Sequence, residues 1–303
     1  MYSKIKTNTY IEEYFQKIMR AVNLLQNADY VLVGVGSGVT AAGGLCYSDP
    51  ELASMWYPEY YSMGKKSIIE IMSDFWANTI NDSNATAFWG FWAKHIYHIR
   101  YEPEALQPYR DLFRIMEGKQ FFIVSTNVDG QLEKAGFDKN VVFAPQGDYA
   151  LFQCKTPCCH EVFDNKAQIY SMLENMVSPF EIKTPDIPRC PRCGGNMMPN
   201  LRCDLNFIDK PHMQNVKQYE RFLTDANGRK LAILELGVGY NTPTIIRLPF
   251  EAITLQYPDA ALIRVNRYDA AMLNRNPNKS LCIKEDVKKF MCDILQATTD
   301  SVV

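Results

Sequence analysis

The chain has 303 residues, of which 47% are hydrophobic and 22% are charged, a balance that is ordinary for a globular protein. Its formal net charge of −2 excludes the large basic surplus that draws proteins to nucleic acid or to anionic membranes. No segment reaches the run of about eighteen apolar residues that a transmembrane helix needs, and the amino terminus lacks the apolar core of a signal peptide. We therefore expect a cytoplasmic protein with neither nucleic-acid nor membrane partners.

The amino-terminal segment has the order of a nucleotide-binding unit. Residues 10–26 place apolar side chains at helical spacing, which predicts an amphipathic helix. The apolar run from Tyr30 to Val33 predicts a buried parallel strand, and it leads directly into the glycine-rich segment GVGSGVTAAG at 34–43. Backbone amides in such a turn favour a pyrophosphate. The motif alone is weak, because the GxGxxG fingerprint would need glycine at Val39 and because glycine turns also serve packing.

Three later apolar segments repeat the pattern of a buried strand. They are FFIVS at 121–125, LAILEL at 231–236 and ALIRV at 261–265. Because helical patterns alternate with them, we predict an α/β fold with a Rossmann-like, mostly parallel, doubly wound sheet.

Two segments interrupt this alternation and predict the domain organisation. Residues 50–110 are rich in aromatic side chains and predict a helical insertion whose rings are mostly core. Residues 150–215 carry cysteine pairs and several prolines, which indicates a small metal-binding module. The remaining segments, 1–49, 111–149 and 216–303, are assigned to the Rossmann-like domain.

The segment STNVDGQ at 125–131 follows one of the predicted strands. In an open α/β sheet, the carboxyl ends of the strands face the ligand crevice. Asn127 and Asp129 alternate along the chain, so their side chains point the same way if the segment is extended. A strand-to-helix turn with Asp129 as the helix cap is an equally good interpretation.

Polar residues also follow the next two strands. The first of these turns, LGVGYNTP at 236–243, has glycines that permit close backbone approach and polar residues that offer hydrogen bonds: Gly237, Gly239, Asn241 and Thr242. Asn266 and Arg267 end the following strand in a similar way. Two polar strand ends at one edge favour a nucleoside site.

The cysteine pattern predicts a structural zinc site. An odd number of cysteines, nine, without a secretory signal favours reduced thiols over disulfides. The candidate ligands form two close pairs, Cys154-x3-Cys158 and Cys190-x2-Cys193. Cys159 and His160 are alternative ligands that the spacing leaves open. Four thiolates would leave no open position on Zn²⁺, so we expect the metal to stabilise the module rather than to catalyse.

In combination these segments resemble the sirtuin family, from about residue 25 to residue 300. A glycine-rich turn, a segment STNVDG that is similar to T-x-N-x-D-G, a zinc module, a G-x-G-x-N-T-like turn and an asparagine at a strand end occur in the same order. The resemblance implies a Rossmann-like NAD-binding domain with a helical insertion and a structural zinc module. It also implies transfer of the ADP-ribose part of NAD with release of nicotinamide.

Two departures separate the chain from deacylating sirtuins. The stretch from Gly43 to Tyr47 lacks their proline–aspartate–phenylalanine–arginine sequence, and Gln146 replaces the histidine that precedes Gly147. A glutamine amide hydrogen-bonds a ribose hydroxyl but does not act as a general base near neutral pH. The four histidines all lie elsewhere in the sequence: His95, His98, His160 and His212.

Both departures make the chain similar to the macrodomain-linked class of microbial sirtuins. This similarity includes GxGxGxxAAG, NVDGQ and the QG replacement. It implies an ADP-ribosyltransferase of protein substrates, with lipoyl-carrier proteins as targets, a macrodomain hydrolase as functional partner and a link to redox stress. The alternatives are an NAD-dependent deacylase of low activity and a module that only binds or hydrolyses NAD.

The resemblance also implies roles for individual residues. Asn127, Asp129 and Gln146 would surround the nicotinamide ribose, where Asp129 would stabilise developing positive charge. The implied NAD-contacting residues are Gly34, Gly36, Ser37, Gly38, Thr40, Tyr47, Thr126, Gln131, Gly237, Gly239, Asn241, Thr242, Asn266 and Arg267.

Overall fold

The computed structural model describes residues 2–273 and 276–300. Within this part of the chain the strands are β1 (Tyr30–Val35), β2 (Phe121–Ser125), β3 (Val142–Phe143), β4 (Gly147–Cys154), β5 (Val162–Asp164), β6 (Met197–Leu201), β7 (Leu231–Leu236), β8 (Ala260–Val265) and β9 (Ser280–Ile283). Six of them form one sheet in the order β3-β2-β1-β7-β8-β9, and all its pairings are parallel. The other three form an antiparallel sheet in the order β5-β4-β6. The predicted Rossmann-like, doubly wound sheet is confirmed.

The helices account for nearly half of the other described residues. They are α1 (Tyr2–Gln26), α2 (Ser37–Ala42), α3 (Pro50–Trp56), α4 (Pro58–Ser62), α5 (Ile68–Asp74), α6 (Ala85–Ile96), α7 (Gln107–Met116), α8 (Gln131–Lys134), α9 (Lys166–Glu174), α10 (Val216–Ala226), α11 (Arg247–Gln256) and α12 (Val287–Asp300). A π-helical turn, Tyr97–Tyr101, extends α6, and 3₁₀ turns occupy Lys139–Val141 and Thr184–Asp186. No helix of residues 2–273 and 276–300 is both long and apolar enough to cross a membrane.

Helices cover both faces of the large sheet, and strand β1 shows how the sequence produces this arrangement. Val31 and Val33 face the cluster that α1, α7 and α12 close, whereas Leu32 faces the cluster that α11 closes. Successive side chains of a strand point to opposite faces. A strand buried on both faces therefore reads as the continuous apolar run seen in the sequence.

The helical insertion and the small antiparallel sheet share one hydrophobic cluster. Trp89 and Trp92 of α6 are fully buried in it, and the Trp89 ring lies 4.6 Å from the ring of Phe152 in β4. Most large aromatic residues of the insertion are thus core, with Trp76 as an exception at 49% exposure. Helix α7 begins inside the predicted insertion but packs against the large sheet, for example through Tyr109. The domain limits given above remain predictions.

The strand order places a crevice at the carboxyl ends of β1, β2 and β7. Val35 is in register with Ser125 of β2 on one side and with Leu236 of β7 on the other. The turns that follow the three strands therefore leave the sheet at the same level. Since successive connections run to opposite sides of β1, this is the switch point at which open α/β sheets bind their ligands.

Candidate active site

The two glycine turns pack against each other, backbone to backbone. Gly36 N donates to Leu236 O at 3.0 Å, and Gly38 N donates to Gly237 O at 3.0 Å. A Cβ atom on Gly36 would lie 2.6 Å from Gly237 O, and Gly237 itself has a φ of +60°. These glycines therefore serve the close approach of the turns. Ser37, at the first position of α2, is exposed beside them.

Gly34 lies inside β1 rather than in the turn. A Cβ atom there would come within 2.6 Å of both Ile246 and Phe250. The structure therefore gives Gly34 a packing function, because its small size lets α11 approach the sheet. Its predicted contact with NAD stays a prediction.

Thr40, Tyr109, Asn127 and Asp129 form a polar cluster at the carboxyl ends of β1 and β2. Thr40 Oγ1 donates to Asp129 Oδ2 at 2.6 Å and lies 2.7 Å from the hydroxyl of Tyr109. Asn127 Nδ2 donates to the Tyr109 hydroxyl at 2.7 Å and to Gly36 O at 3.0 Å. Asn127 and Asp129 thus both form hydrogen bonds with Thr40 and Tyr109, so their side chains point the same way, as alternation along the chain predicts. Sequence reasoning missed Tyr109, which joins the cluster from α7.

Asp129 serves the helix start as well as the cluster. Its Oδ1 accepts a 3.0 Å hydrogen bond from the backbone amide of Gln131, the first residue of α8. The expectation that Asp129 is the helix cap is wrong by one residue, because Gly130, with a φ of +68°, is the N-cap and Asp129 supports the helix start from the position before it. Burial raises the pKa of Asp129, and the hydrogen bonds from Thr40, Gln131 and Tyr109 oppose that rise. A carboxylate in such a poorly solvated place acts strongly on positive charge that develops nearby.

Gln146 lies in the turn between β3 and β4. Its backbone carbonyl accepts a 3.0 Å hydrogen bond from Arg202 N, while its side-chain Oε1 is buried without a hydrogen-bond partner among residues 2–273 and 276–300. Gly147 has a φ of +109°, and a Cβ atom there would collide with the backbone of Asn200. The fold therefore requires the glycine, and the glutamine carries an acceptor that the protein leaves unsatisfied. Such acceptors are costly and are typical of functional sites.

A cavity of about 480 Å³ adjoins this cluster. Its lining includes Asn127, Asp129, Gly147 and His212. His212 could not be assigned to this site from the sequence, because it lies far along the chain from the NVDG segment, near the end of the predicted zinc module. His212 Nε2 lies 2.5 Å from Asn200 Oδ1, and burial lowers the pKa of its imidazole.

Tyr47 belongs to a chain of aromatic hydroxyls beside the site. Its hydroxyl lies 3.4 Å from that of Tyr149, which in turn lies 3.2 Å from His95 Nε2. His95 is fully buried, its Nδ1 lies 3.4 Å from the Tyr57 hydroxyl, and burial lowers its pKa to about 3. Tyr149 N also donates to Val128 O at 2.9 Å. The neutral imidazole of His95 thus helps to hold Tyr47 and the NVDG loop in position through Tyr149.

Two of the predicted NAD-contacting side chains bond to the protein itself. Gln131 is fully buried, and its Oε1 accepts a 2.8 Å hydrogen bond from Leu106 N ahead of α7. The Thr126 hydroxyl donates to Val35 O at 3.4 Å. Both residues tie the loop after β2 to neighbouring elements, which gives them a positioning function whether or not they touch NAD.

The predicted nucleoside residues lie on the turns after β7 and β8. Asn266 is buried, where it donates to Val238 O at 3.0 Å and accepts from the amide of Tyr268 at 2.9 Å. It therefore joins the two turns. The residues on the outer side of these turns are exposed or half-buried: Gly239, Asn241, Thr242 and Arg267.

The four predicted zinc ligands come together in one group. Their sulfur atoms, from Cys154, Cys158, Cys190 and Cys193, all lie within 4.8 Å of one another. Cys154 Sγ is 3.7 Å from Cys193 Sγ, and Cys158 Sγ is 3.6 Å from Cys190 Sγ. Zinc–sulfur bonds of about 2.3 Å in a tetrahedron require sulfur atoms about 3.8 Å apart, so the group fits Zn²⁺. The grouping includes Cys158 and leaves out Cys159.

Comparisons with known proteins agree with this geometry. No family model matches the chain. It is 26% identical over 277 residues to a "Protein ADP-ribosyltransferase" of Staphylococcus aureus, a match that covers 90% of this chain and 85% of that protein. It is 27% identical over 292 residues to a "Probable bifunctional ADP-ribose hydrolase/ADP-ribosyltransferase" of Fusarium oxysporum f. sp. cubense, covering 90% of this chain and 46% of that protein.

Solved structures with the same fold are Sir2 homologues. A Sir2 homologue in complex with NAD superimposes with a TM-score of 0.57 at 14% identity, covering 94% of this chain and 95% of that one. A complex of a Sir2 homologue with ADP-ribose gives 0.58 at 15% identity, covering 93% and 97%. The sirtuin resemblance of the sequence is thus confirmed: the chain has the Sir2 fold and is similar over 90% of its length to protein ADP-ribosyltransferases.

Proposed function

We propose that the chain is an NAD-dependent protein ADP-ribosyltransferase that releases nicotinamide. The observation that carries this proposal is Gln146, which takes the place of the histidine of deacylating sirtuins. Its Oε1 is buried without a partner among residues 2–273 and 276–300, and the adjacent Gly147 lines the same cavity as Asn127 and Asp129. The similarity to two proteins named as ADP-ribosyltransferases supports the same conclusion.

The residues at the switch point fit NAD as the co-substrate. The unpaired Oε1 of Gln146 suits a ribose hydroxyl, which would donate a hydrogen bond to it. The exposed turn residues Ser37 and Gly239 leave the backbone after β1 and β7 open to a ligand. NAD would supply the glycosidic bond to nicotinamide, whose cleavage gives the ribose positive character.

Asp129 would stabilise that positive charge. Its carboxyl group is buried and held from two sides by Thr40 and by the amide of Gln131, so it need not reorganise during the reaction. Asn127 would keep the site assembled, because its amide joins the turn after β1 to Tyr109 of α7. Gln146 would orient the ribose and would take no proton.

The protein substrate and the cellular context are part of the proposal. A lipoyl-carrier protein would accept the ADP-ribose in the cytoplasm, and a macrodomain hydrolase would remove it. The second relative supports this pairing, since its name joins an ADP-ribose hydrolase to an ADP-ribosyltransferase.

A weak NAD-dependent deacylase is a second candidate, because a histidine lines the cavity. His212 is brought there by the segment ahead of α10. Burial lowers the pKa of its imidazole, which favours the neutral form that a general base requires.

One experiment separates the two candidates. The protein is incubated with NAD that is labelled in its adenylate phosphate, together with either a lipoyl-carrier protein or an acetylated peptide. We expect label on the carrier protein, at least tenfold less with Asn127→Ala, and little deacylation. Rapid peptide deacylation, or labelling that Asn127→Ala leaves unchanged, would contradict the proposed function.

A further inference from the structure

Tyr240 presents an aromatic ring on the turn after β7. It is 52% exposed and lies at the carboxyl-terminal edge of the sheet, where open α/β sheets bind their ligands. The guanidinium carbon of Arg247 lies 4.1 Å from the centre of the ring. Because Arg247 covers one face, the exposure of Tyr240 comes from the opposite face and the edge.

Arg247 is a rigid support for this ring. It is fully buried, and its guanidinium donates to four groups after β7 and β8: Val238 O at 3.1 Å, Asp269 O at 3.4 Å, Asp269 Oδ2 at 3.3 Å and Ala271 O at 2.9 Å. A planar guanidinium that is bonded in this way has little freedom to rotate. A cation on one face also holds the ring in place, since cation–π attraction is stronger where the cation is desolvated.

A second buried arginine also connects the turn after β7 to the loop after β8. Arg264 of β8 is fully buried between Glu235 and Glu251, with hydrogen bonds of 2.8 Å and 2.6 Å. It also donates to Ala271 O at 2.7 Å and to Arg247 O at 3.3 Å. The turn after β7 and the loop after β8 are therefore connected through charged groups that water does not screen.

The glycine beside Tyr240 points to a ligand. A Cβ atom on Gly239 would meet nothing within 4 Å, and its φ lies outside the left-handed region, so the fold itself does not require glycine there. Gly237 differs, because it has a positive φ and touches the backbone of Gly38. The open space at Gly239 adjoins the exposed ring, and a side chain at that position would fill it.

We infer that Tyr240 is the stacking surface for the adenine ring of NAD, held in position by Arg247. The inference rests on the proposed function and names the group that binds the base. Its second support is the location of Tyr240 between Gly239 and Asn241, on the turn that Asn266 joins through its hydrogen bond to Val238 O. Stacking on an aromatic ring tolerates any purine, since every base has a π face. The site should therefore accept hypoxanthine or guanine in place of adenine with similar affinity.

The test is the affinity for ADP-ribose, measured by calorimetry on the full chain without any protein acceptor. We expect Tyr240→Leu to weaken binding about tenfold, in line with the ~1–3 kcal/mol that stacking on a base contributes. Tyr240→Phe and Tyr240→Trp should stay within about threefold of the unaltered protein. Tyr170→Leu, which removes a partly exposed tyrosine from α9, is the matched control and should bind normally.

Three outcomes would overturn the inference. Equal losses in Tyr240→Phe and Tyr240→Leu would indicate a hydroxyl contact instead of stacking. Normal binding by Tyr240→Leu, or no binding of ADP-ribose by the unaltered protein, would remove Tyr240 from the site. If Tyr240→Leu fails to fold, the Phe and Trp variants still decide between a ring and a hydroxyl. Normal ADP-ribose binding without transfer to protein would instead contradict the proposed function alone.

Discussion

Thr40 donates a 2.6 Å hydrogen bond to Asp129 although the two residues belong to turns that follow different strands. Thr40 lies in α2 after β1, and Asp129 lies between β2 and α8. The bond is buried, and it opposes the rise in the pKa of Asp129 that burial causes. The pKa of the Asp129 carboxyl group thus depends on how the segments after β1 and β2 pack together.

Removing this hydrogen bond should alter the dependence of activity on pH. In Thr40→Val the pKa of Asp129 should rise further, because the ionised form loses a donor. If ionised Asp129 supports the reaction, activity is lost as the pH falls through this pKa. The acidic limb of the profile should therefore move to higher pH, with nicotinamide release at pH 7 reduced about tenfold or more.

The rate of nicotinamide release between pH 5 and pH 8 measures this shift. Thr40→Ser keeps the hydroxyl and is the matched control, which should retain the original limb. An unchanged limb in Thr40→Val would show that ionisation of Asp129 does not limit the reaction.

Restoring histidine at position 146 should change the kind of reaction. Gln146→His places an imidazole, whose ordinary pKa is about 6.5, next to Gly147, which lines the same cavity as Asn127 and Asp129. Because deacylation needs a base to activate a ribose hydroxyl, peptide deacylation should rise at least tenfold. Peptide deacylation at saturating NAD is the measurement.

Two further variants complete this comparison. Gln146→Ala removes the amide without adding a base and should show no such gain. His212→Ala tests the histidine that lines the cavity, and it should leave the low deacylation of the unaltered protein unchanged. A drop in His212→Ala would assign that residual activity to His212.

The grouping of the zinc ligands predicts different effects for substitutions at the neighbouring Cys158 and Cys159. Cys158→Ser should abolish stoichiometric zinc binding and lower the unfolding temperature, because a four-thiolate site contributes folding energy. Cys159→Ser should retain zinc, since the sulfur of Cys159 lies outside the group. Zinc content by atomic emission and thermal unfolding measure both variants. Zinc loss in Cys159→Ser alone would reverse the assignment.

Features that depend on neighbouring residues could be predicted from the sequence. The buried strands appear as apolar runs, and Asn127 and Asp129 follow one of them directly, so their common location follows from alternation. The sequence shows the four candidate zinc ligands as two close pairs. Only the structure shows that Cys158, and not Cys159, belongs to the group.

Features that depend on distant contacts could not be predicted. Tyr109 stands within an aromatic-rich region and gives no sign that its hydroxyl meets Asn127 at 2.7 Å. Arg247 and Arg264 would be expected at the surface on composition alone, since arginine is rarely fully buried without partners. Their burial depends on carboxylates and carbonyls that separate strands and loops supply. Only the tertiary structure brings those groups together.

Two glycines of the nucleotide turns should respond differently to a methyl group. Gly36→Ala should lower the free energy of unfolding by about 1–3 kcal/mol, because the new Cβ would lie 2.6 Å from the carbonyl oxygen of Gly237 and the two turns must move apart. Gly239→Ala adds the same atom where nothing lies within 4 Å, so the free energy should change by less than about 0.5 kcal/mol. Urea unfolding of both variants measures the difference. Because Gly239→Ala keeps the fold, a loss of ADP-ribose affinity in that variant would report on the ligand alone, whereas equal destabilisation by both substitutions would contradict the packing of the turns described above.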